Sequence, residues 1–277
     1  KLAFRVTSRS RRYIQNYKIS IMTKIGNINL SINLIDKGSN SAFLFIHGLQ
    51  SRKETFDIYL NNFSPKTKRS LISLDLIGFG QSDKPKNFGY DLLDQVNNIK
   101  KLLYELEIKH LIIIGHSYGG MIGTKLLQSA DLEIKSIINL EGNLVEEDCG
   151  ESINVANMTF SKFQDYFELL KSELADSDYK SDIFRGESLA KIPAEVFYKT
   201  SKAIVNWSKS GDLYNLFCNS PIPKLLITGS NSSYFSKPKR DNIKHVTIDD
   251  VTHFMLSEKP FEVYEYIEKY LTNNHLL

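Results

Sequence analysis

The chain has 277 residues, of which 42% are hydrophobic and 24% charged, the composition of ordinary globular material sized for one large domain or one domain with an insertion. Its formal charge of +3 conceals an uneven distribution, because residues 1–24 hold seven Lys or Arg and no acid, and the remainder carries 28 basic against 32 acidic residues. A mildly acidic body is not built to bind nucleic acid, and no apolar stretch approaches the roughly 20 residues of a membrane span.

The basic start, residues 1–18, lacks the apolar core of a secretory signal and reads as a solvated extension. After it, "KISIMTKI" and "NLSINLI" alternate around Gly26-Asn27, which predicts an antiparallel hairpin. Five short, nearly continuous apolar runs follow, at Ala42–Ile46, Leu71–Leu74, Leu111–Ile114, Ile137–Leu140 and Lys224–Thr228. Such runs fit strands covered on both faces of a parallel sheet. A further short run, "VTI", follows His245. Between the strands lie helix-period segments. In Asp91–Glu107 the residues Leu92, Val96, Ile99, Leu103 and Leu106 share one face, with Asp91 placed as the cap. Near the end Phe261, Tyr264, Ile267 and Leu271 form a second stripe. The expectation is an α/β protein with a mostly parallel eight-stranded sheet flanked by helices.

One segment breaks the rhythm. Residues 143–212 carry helical spacing, no strand and many aromatics, among them Phe160, Phe163, Phe167, Phe197 and Trp207. This predicts a helical cap inserted after strand 6, dividing the core into 19–142 and 213–277. Most of its aromatics are expected to form the cap's own core.

The chemistry centres on "GHSYGG", Gly115–Gly120, which fits G-x-S-x-G after a strand and before a helix. That corner projects Ser117 from the sheet and aims the first N–H groups of the next helix at charge developing on a substrate. A serine hydroxyl is inert without a base, a group orienting the base, and a site for the oxyanion. His47-Gly48-Leu49 ends a buried strand, and its loop is expected to set the Leu49 N–H beside that of Tyr118. Gly48, Phe160 and Phe163 are the expected substrate contacts. His47 reads as structural. Of six histidines, His253 in "DDVTHFMLSEKP" is the one left on a loop from which a base can reach Ser117.

"FIHG", "LDLIGFGQSD", "GHSYGG" and "THFMLSEKP" together resemble the α/β-hydrolase fold serine hydrolases, from about residue 25 to the end. The resemblance implies that Asp75–Asp83 shapes the pocket wall. It also implies that dehalogenase and epoxide-hydrolase chemistry, which usually uses an aspartate nucleophile, is disfavoured by Ser117. The family's usual acid follows the next-to-last strand in a G-x-x-D sequence. Here "LLITGSNSSYF" puts Ser232 at that place, and residues 229–237 hold no carboxylate. Other members take the acid from the end of strand 6, where this chain has Glu141. A glutamate ending a buried apolar strand needs an electrostatic partner, which His253 would supply. Asp148 is the next candidate, followed by Asp249 or Asp250, whose adjacency to His253 seldom allows the right geometry.

These residues predict hydrolysis of a small ester or thioester with an apolar group, through an acyl-enzyme on Ser117, with His253 as base and Glu141 orienting it. No metal or organic cofactor is required by that chemistry. Lyase or C–C hydrolase activity uses the same layout, and a binding protein that has lost turnover is the contrasting reading, motivated by Ser232. Cys149 and Cys218 match no metal-ligand spacing, so a reducing, cytoplasmic setting is the expectation.

Overall fold

The computed structural model describes residues 17–277. The basic extension therefore lies outside the described residues except for Tyr17 and Lys18, and Lys18 already opens the first strand. Strands β1 (Lys18–Ile25) and β2 (Ile28–Ile35) pair antiparallel around Gly26-Asn27. Only Gly26 of the two turns to positive φ, +59°, the mark of a type II′ hairpin turn. The sheet continues with β3 (Ser41–Ile46), β4 (Ser70–Leu74), β5 (His110–His116), β6 (Glu133–Leu140), β7 (Lys224–Gly229) and β8 (Ile243–Ile248). Its order is β1-β2-β4-β3-β5-β6-β7-β8, antiparallel through β2 and β4 and parallel from β4 onward.

The continuous apolar runs serve two cores. Along β3, Ala42, Leu44 and Ile46 face one cluster, and Phe43 and Phe45 the other. Helix α1 (Asp57–Phe63) covers the second face with Tyr59, Leu60 and Phe63. Helices α2 (Leu92–Glu105) and α3 (Tyr118–Leu126) cover the first. Asp91 caps α2 as its position predicts, accepting from the Leu93 N–H at 3.0 Å while Asp94 accepts from the Asp91 N–H at 3.2 Å.

Between β6 and β7 the chain runs only through helices: α4 (Glu151–Ala156), α5 (Phe160–Ala175), α6 (Lys180–Leu189), α7 (Ala194–Lys209) and α8 (Asp212–Asn219). The last of these packs on α3 beside the sheet. Among the others, α7 is tied to the start of α2 by Trp207, whose indole N–H donates to the Asp91 carboxylate at 3.0 Å. Their interior is aromatic, with Phe163 packed against Phe167, Phe197 and Tyr198 at ring separations of 5.3 to 5.7 Å. After β8 come α9 (Met255–Glu258) and α10 (Pro260–Asn273). In α10 the predicted stripe is corrected at one position. Tyr264, Ile267 and Leu271 are buried, but Phe261 is 63% exposed, because Val263 takes the inward place in the first turn. Among the described residues no helix is long and apolar enough to cross a membrane.

Candidate active site

Ser117 sits between the end of β5 and the start of α3 with φ +53° and ψ −121°. A non-glycine residue held there stores roughly 1–3 kcal/mol, and persists because its surroundings fix it. Its N–H donates to the Leu140 carbonyl at 3.0 Å, and a Cβ added at Gly119 would lie 2.0 Å from the Ile46 carbonyl oxygen. No other residue of 111–120 escapes burial. The corner thus leaves one accessible hydroxyl against tightly packed backbone.

The adjoining loop from β3 runs directly past it, since a Cβ at Gly48 would be 3.0 Å from the Ser117 Cβ. His47 braces this loop from inside. Its Nδ1 donates to the Gly48 carbonyl at 2.7 Å, and its Nε2 accepts from the Leu76 N–H at 3.0 Å. Burial lowers its pKa, in keeping with a neutral, structural ring. Neither the Leu49 nor the Tyr118 N–H donates to a protein acceptor among the described residues. Leu49 lines the same cavity as Ser117, and Tyr118 follows the serine directly in the chain.

The C-terminal end of β6 brings Glu141 beside His253, with φ +48° at the glutamate. Glu141 is fully buried, and three donors meet its carboxylate. Oε1 accepts from the Gly229 N–H at 2.7 Å, while Oε2 accepts from the Ser232 hydroxyl at 2.7 Å and from His253 Nδ1 at 2.6 Å. Ser232, at the place where the resemblance implies an acid, thus donates to a carboxylate at the end of the neighbouring strand β6. With Nδ1 engaged by Glu141, His253 Nε2 has no protein hydrogen-bond partner among the described residues.

Asp148 serves elsewhere. Its two oxygens accept from the N–H groups of Leu144, Val145, Phe235 and Ser236 and from the Ser236 hydroxyl, joining the start of the helical insert to the loop after β7. Asp249 and Asp250 are exposed on the turn after β8, and neither hydrogen-bonds to His253.

Two residues that motif reading passes over hold the His253 loop. His116 Nε2 donates to the His253 carbonyl at 2.8 Å, and Glu258 accepts from the N–H and hydroxyl of Thr252 at 2.7 and 2.6 Å. Burial first, and then the neighbouring His253, lower the His116 pKa to about 3. Below about pH 6.5 the unfolded chain takes up a proton that folded His116 refuses until about pH 3. Stability is therefore expected to fall as pH drops through that window, by about 1.4 kcal/mol per pH unit for each such histidine. The melting temperature of His116→Gln should fall less between pH 7 and pH 4.5 than that of the wild type. Parallel curves would contradict this.

Ser117, His253 and Glu141 line one cavity of about 320 Å³ together with Gly48 and Leu49. Ser117 Oγ and the His253 ring share that space without a hydrogen bond between them, as is common before substrate tightens such contacts. Phe160 and Phe163 do not reach the cavity. Phe163 is fully buried inside the helical insert and Phe160 packs on its outer side, so the wall is made instead by Phe184, Phe254 and Leu256 with many polar groups. Nor does Asp75–Asp83 contribute to the wall. Asp75 instead grips the segment after the Leu49 loop, accepting from the Lys53 N–H at 2.8 Å and from its ammonium at 3.1 Å. Cys149 lines the cavity as a neutral thiol, its pKa pushed up to about 12 by burial. Among the described residues no three His, Cys, Asp or Glu are grouped to hold a metal ion.

Known proteins resemble this chain in sequence and fold. The chain is 23% identical over 282 residues to a putative esterase/lipase of Haemophilus influenzae, covering 95% of this chain and 94% of that one. It is 23% identical to an sn-1-specific diacylglycerol lipase of Danio rerio, covering 85% and 80%. The AB hydrolase superfamily protein YisY of Bacillus subtilis is 32% identical over 101 residues, which is only 35% of this chain and 37% of that protein. Among solved structures, a carboxylesterase of Nitrososphaera gargenis superposes with a TM-score of 0.74 at 18% identity, covering 93% of this chain and 99% of that one. The model of the alpha/beta hydrolase fold matches residues 41–181, half of the sequence, and the chain belongs to that family.

Proposed function

We propose that the protein is a serine hydrolase that cleaves a small carboxylic ester or thioester through an acyl-enzyme on Ser117. The observation that carries this reading is the 2.6 Å contact between His253 Nδ1 and the buried Glu141 carboxylate, in the cavity that Ser117 also lines. Ser117 Oγ attacks the carbonyl carbon as its proton passes to His253 Nε2, and the carbonyl electron pair moves onto oxygen. The Leu49 and Tyr118 N–H groups hold that oxyanion. Its collapse breaks the bond to the alcohol or thiol, which leaves with the proton from His253. Water then attacks the acyl carbon as its proton passes to His253 Nε2, and collapse of this second oxyanion breaks the bond to Ser117 Oγ, which takes the proton back from His253 as the acid leaves. Throughout, Glu141 keeps the Nδ1–H tautomer and stabilises the imidazolium.

The helices between β6 and β7 act as the lid in this reading. They enclose a cavity of about 320 Å³, near the small end for ligand sites, with Gln50, Asn143 and Ser152 among its lining groups. This supports a short acyl group as the apolar part of the ester. Ser232, engaged with Glu141, also removes the motive for reading the chain as a lapsed enzyme. The test is a series of p-nitrophenyl esters from acetyl to dodecanoyl. The kcat/KM is expected to peak at short chains and decline beyond hexanoyl, and a maximum at dodecanoyl would contradict the reading of the cavity.

A further inference from the structure

The loop that presents the Leu49 N–H does not stand on the core alone. Its side chains at 50 and 52 are both held by α6 of the helical insert. Arg185 Nε donates to Gln50 Oε1 at 2.7 Å, and the Gln50 amide N–H₂ donates to Glu151 at the start of α4. Glu151 is itself fixed by the Tyr166 hydroxyl at 2.5 Å, and Arg185 by Asp182 at 2.9 Å. Two residues on, the Arg52 guanidinium lies 4.0 Å over the Phe184 ring and bonds the Phe184 carbonyl, the Ser188 hydroxyl and Glu187. Arg185 also has a second contact of consequence. Its guanidinium stacks 4.0 Å above the ring of Phe254, the residue next to His253.

One side chain of the insert thus touches both loops on which the proposed chemistry depends. We propose that Arg185 is a positioning residue: through Gln50 it fixes the loop carrying the Leu49 N–H, and through Phe254 it fixes the loop carrying His253, so that the oxyanion site and the base come into register only when α6 is seated. The inference rests on the serine-hydrolase reading above. A planar guanidinium suits the task because it stacks by its face and donates by its edge at the same time, which an ammonium cannot do. The cavity's charge argues against the simpler idea that Arg185 receives a substrate anion. Glu141, Asp148 and Glu151 line the same space, and Arg185 already has Asp182 as its ion-pair partner.

A group that positions the oxyanion donors acts on the transition state more than on the ground state, so its loss should fall on kcat. Arg185→Met is expected to lower kcat at least 30-fold on a short p-nitrophenyl ester and to leave KM within threefold. A trifluoromethyl ketone of matched chain, which forms an oxyanion adduct with a nucleophilic serine, should lose affinity in proportion. The corresponding secondary alcohol, which forms none, should keep its affinity within threefold. Gln50→Met, which breaks only the oxyanion side, should lower kcat about tenfold. The double variant should be no worse than Arg185→Met alone, since Gln50 acts through Arg185. Should Arg185→Met fail to fold, the kcat-against-KM split and the ketone-to-alcohol ratio of Gln50→Met decide the matter. A loss confined to KM, equal loss of ketone and alcohol binding, or additive single effects would overturn the inference. A wild-type protein that neither cleaves the ester nor binds the ketone more tightly than the alcohol would remove the hydrolase reading itself, and this inference with it.

Discussion

Ser117→Ala is expected to lower kcat/KM on a short ester by about 10⁴- to 10⁶-fold, the scale seen when a serine hydrolase loses its nucleophile. The loss is that large because alanine removes the attacking hydroxyl, and neither the nearby thiol nor the rest of the corner can take its place. Cys149 is a thiol kept neutral by burial, and the other side chains of 111–120 are buried in the core. The substitution should leave the fold intact. Among the described residues Ser117 Oγ has no hydrogen-bond partner, and the corner is held by backbone contacts, such as that of the Ser117 N–H with Leu140, which alanine retains. Steady-state kinetics with a melting curve on the same sample check both halves. Activity within tenfold of wild type would remove Ser117 from the chemistry.

Glu141→Gln carries the second large expectation, a loss of about 10⁴ in kcat, the magnitude associated with a mis-set imidazole tautomer. The geometry makes the reason specific. All three groups around the carboxylate, the Gly229 N–H, the Ser232 hydroxyl and His253 Nδ1, approach as donors. An amide has one acceptor oxygen, so its N–H₂ must face either the backbone donor or the pair formed by Ser232 and His253. Either choice leaves a buried donor opposed, which also costs stability. Ser232 offers a rescue, because its hydroxyl already reaches the carboxylate that binds His253. Glu141→Gln/Ser232→Asp is expected to recover at least tenfold of the lost kcat by returning an acid to the neighbouring strand. Activity of Glu141→Gln within threefold of wild type would reject the assignment. Failure of the double variant alone would say only that an aspartate at 232 stops short of the ring.

Much of this was legible before any coordinates, for reasons that can be named. Runs such as Leu111–Ile114 read as doubly covered strands because alternate residues face different cores, and Asp91 read as a cap because the capping chemistry is local. The Ser117 corner was legible because glycine at 115 meets a steric demand within the motif, where a Cβ would lie 2.4 Å from the Gly119 carbonyl oxygen. Glu141 was found by the same kind of argument, since a carboxylate ending an apolar strand requires a partner. The roles of Ser232 and Asp148 were not legible, because each bonds a residue about 90 positions away, and sequence spacing does not report that. The same limit applies to the insert. Its helical aromatics share one pattern whether they face the cavity or each other, so Phe160 and Phe163 were assigned to substrate when Phe184 and Phe254 line the wall. The Asp75–Asp83 turn shows a further version of the problem. Its motif marks a conformation, in which a Cβ at Gly80 would lie 2.3 Å from the Asp75 carboxyl carbon, without saying which neighbour that carboxylate holds.

Labelling with a fluorophosphonate tests the central claim most directly, since the reagent reacts with a serine only where a base and an oxyanion site act on it together. Mass spectrometry of the digested wild-type protein should place one phosphonyl group on the peptide containing Ser117, with labelling abolished in Ser117→Ala and slowed in Glu141→Gln. An unlabelled Ser117 peptide, or a label that persists in Ser117→Ala, would contradict the account.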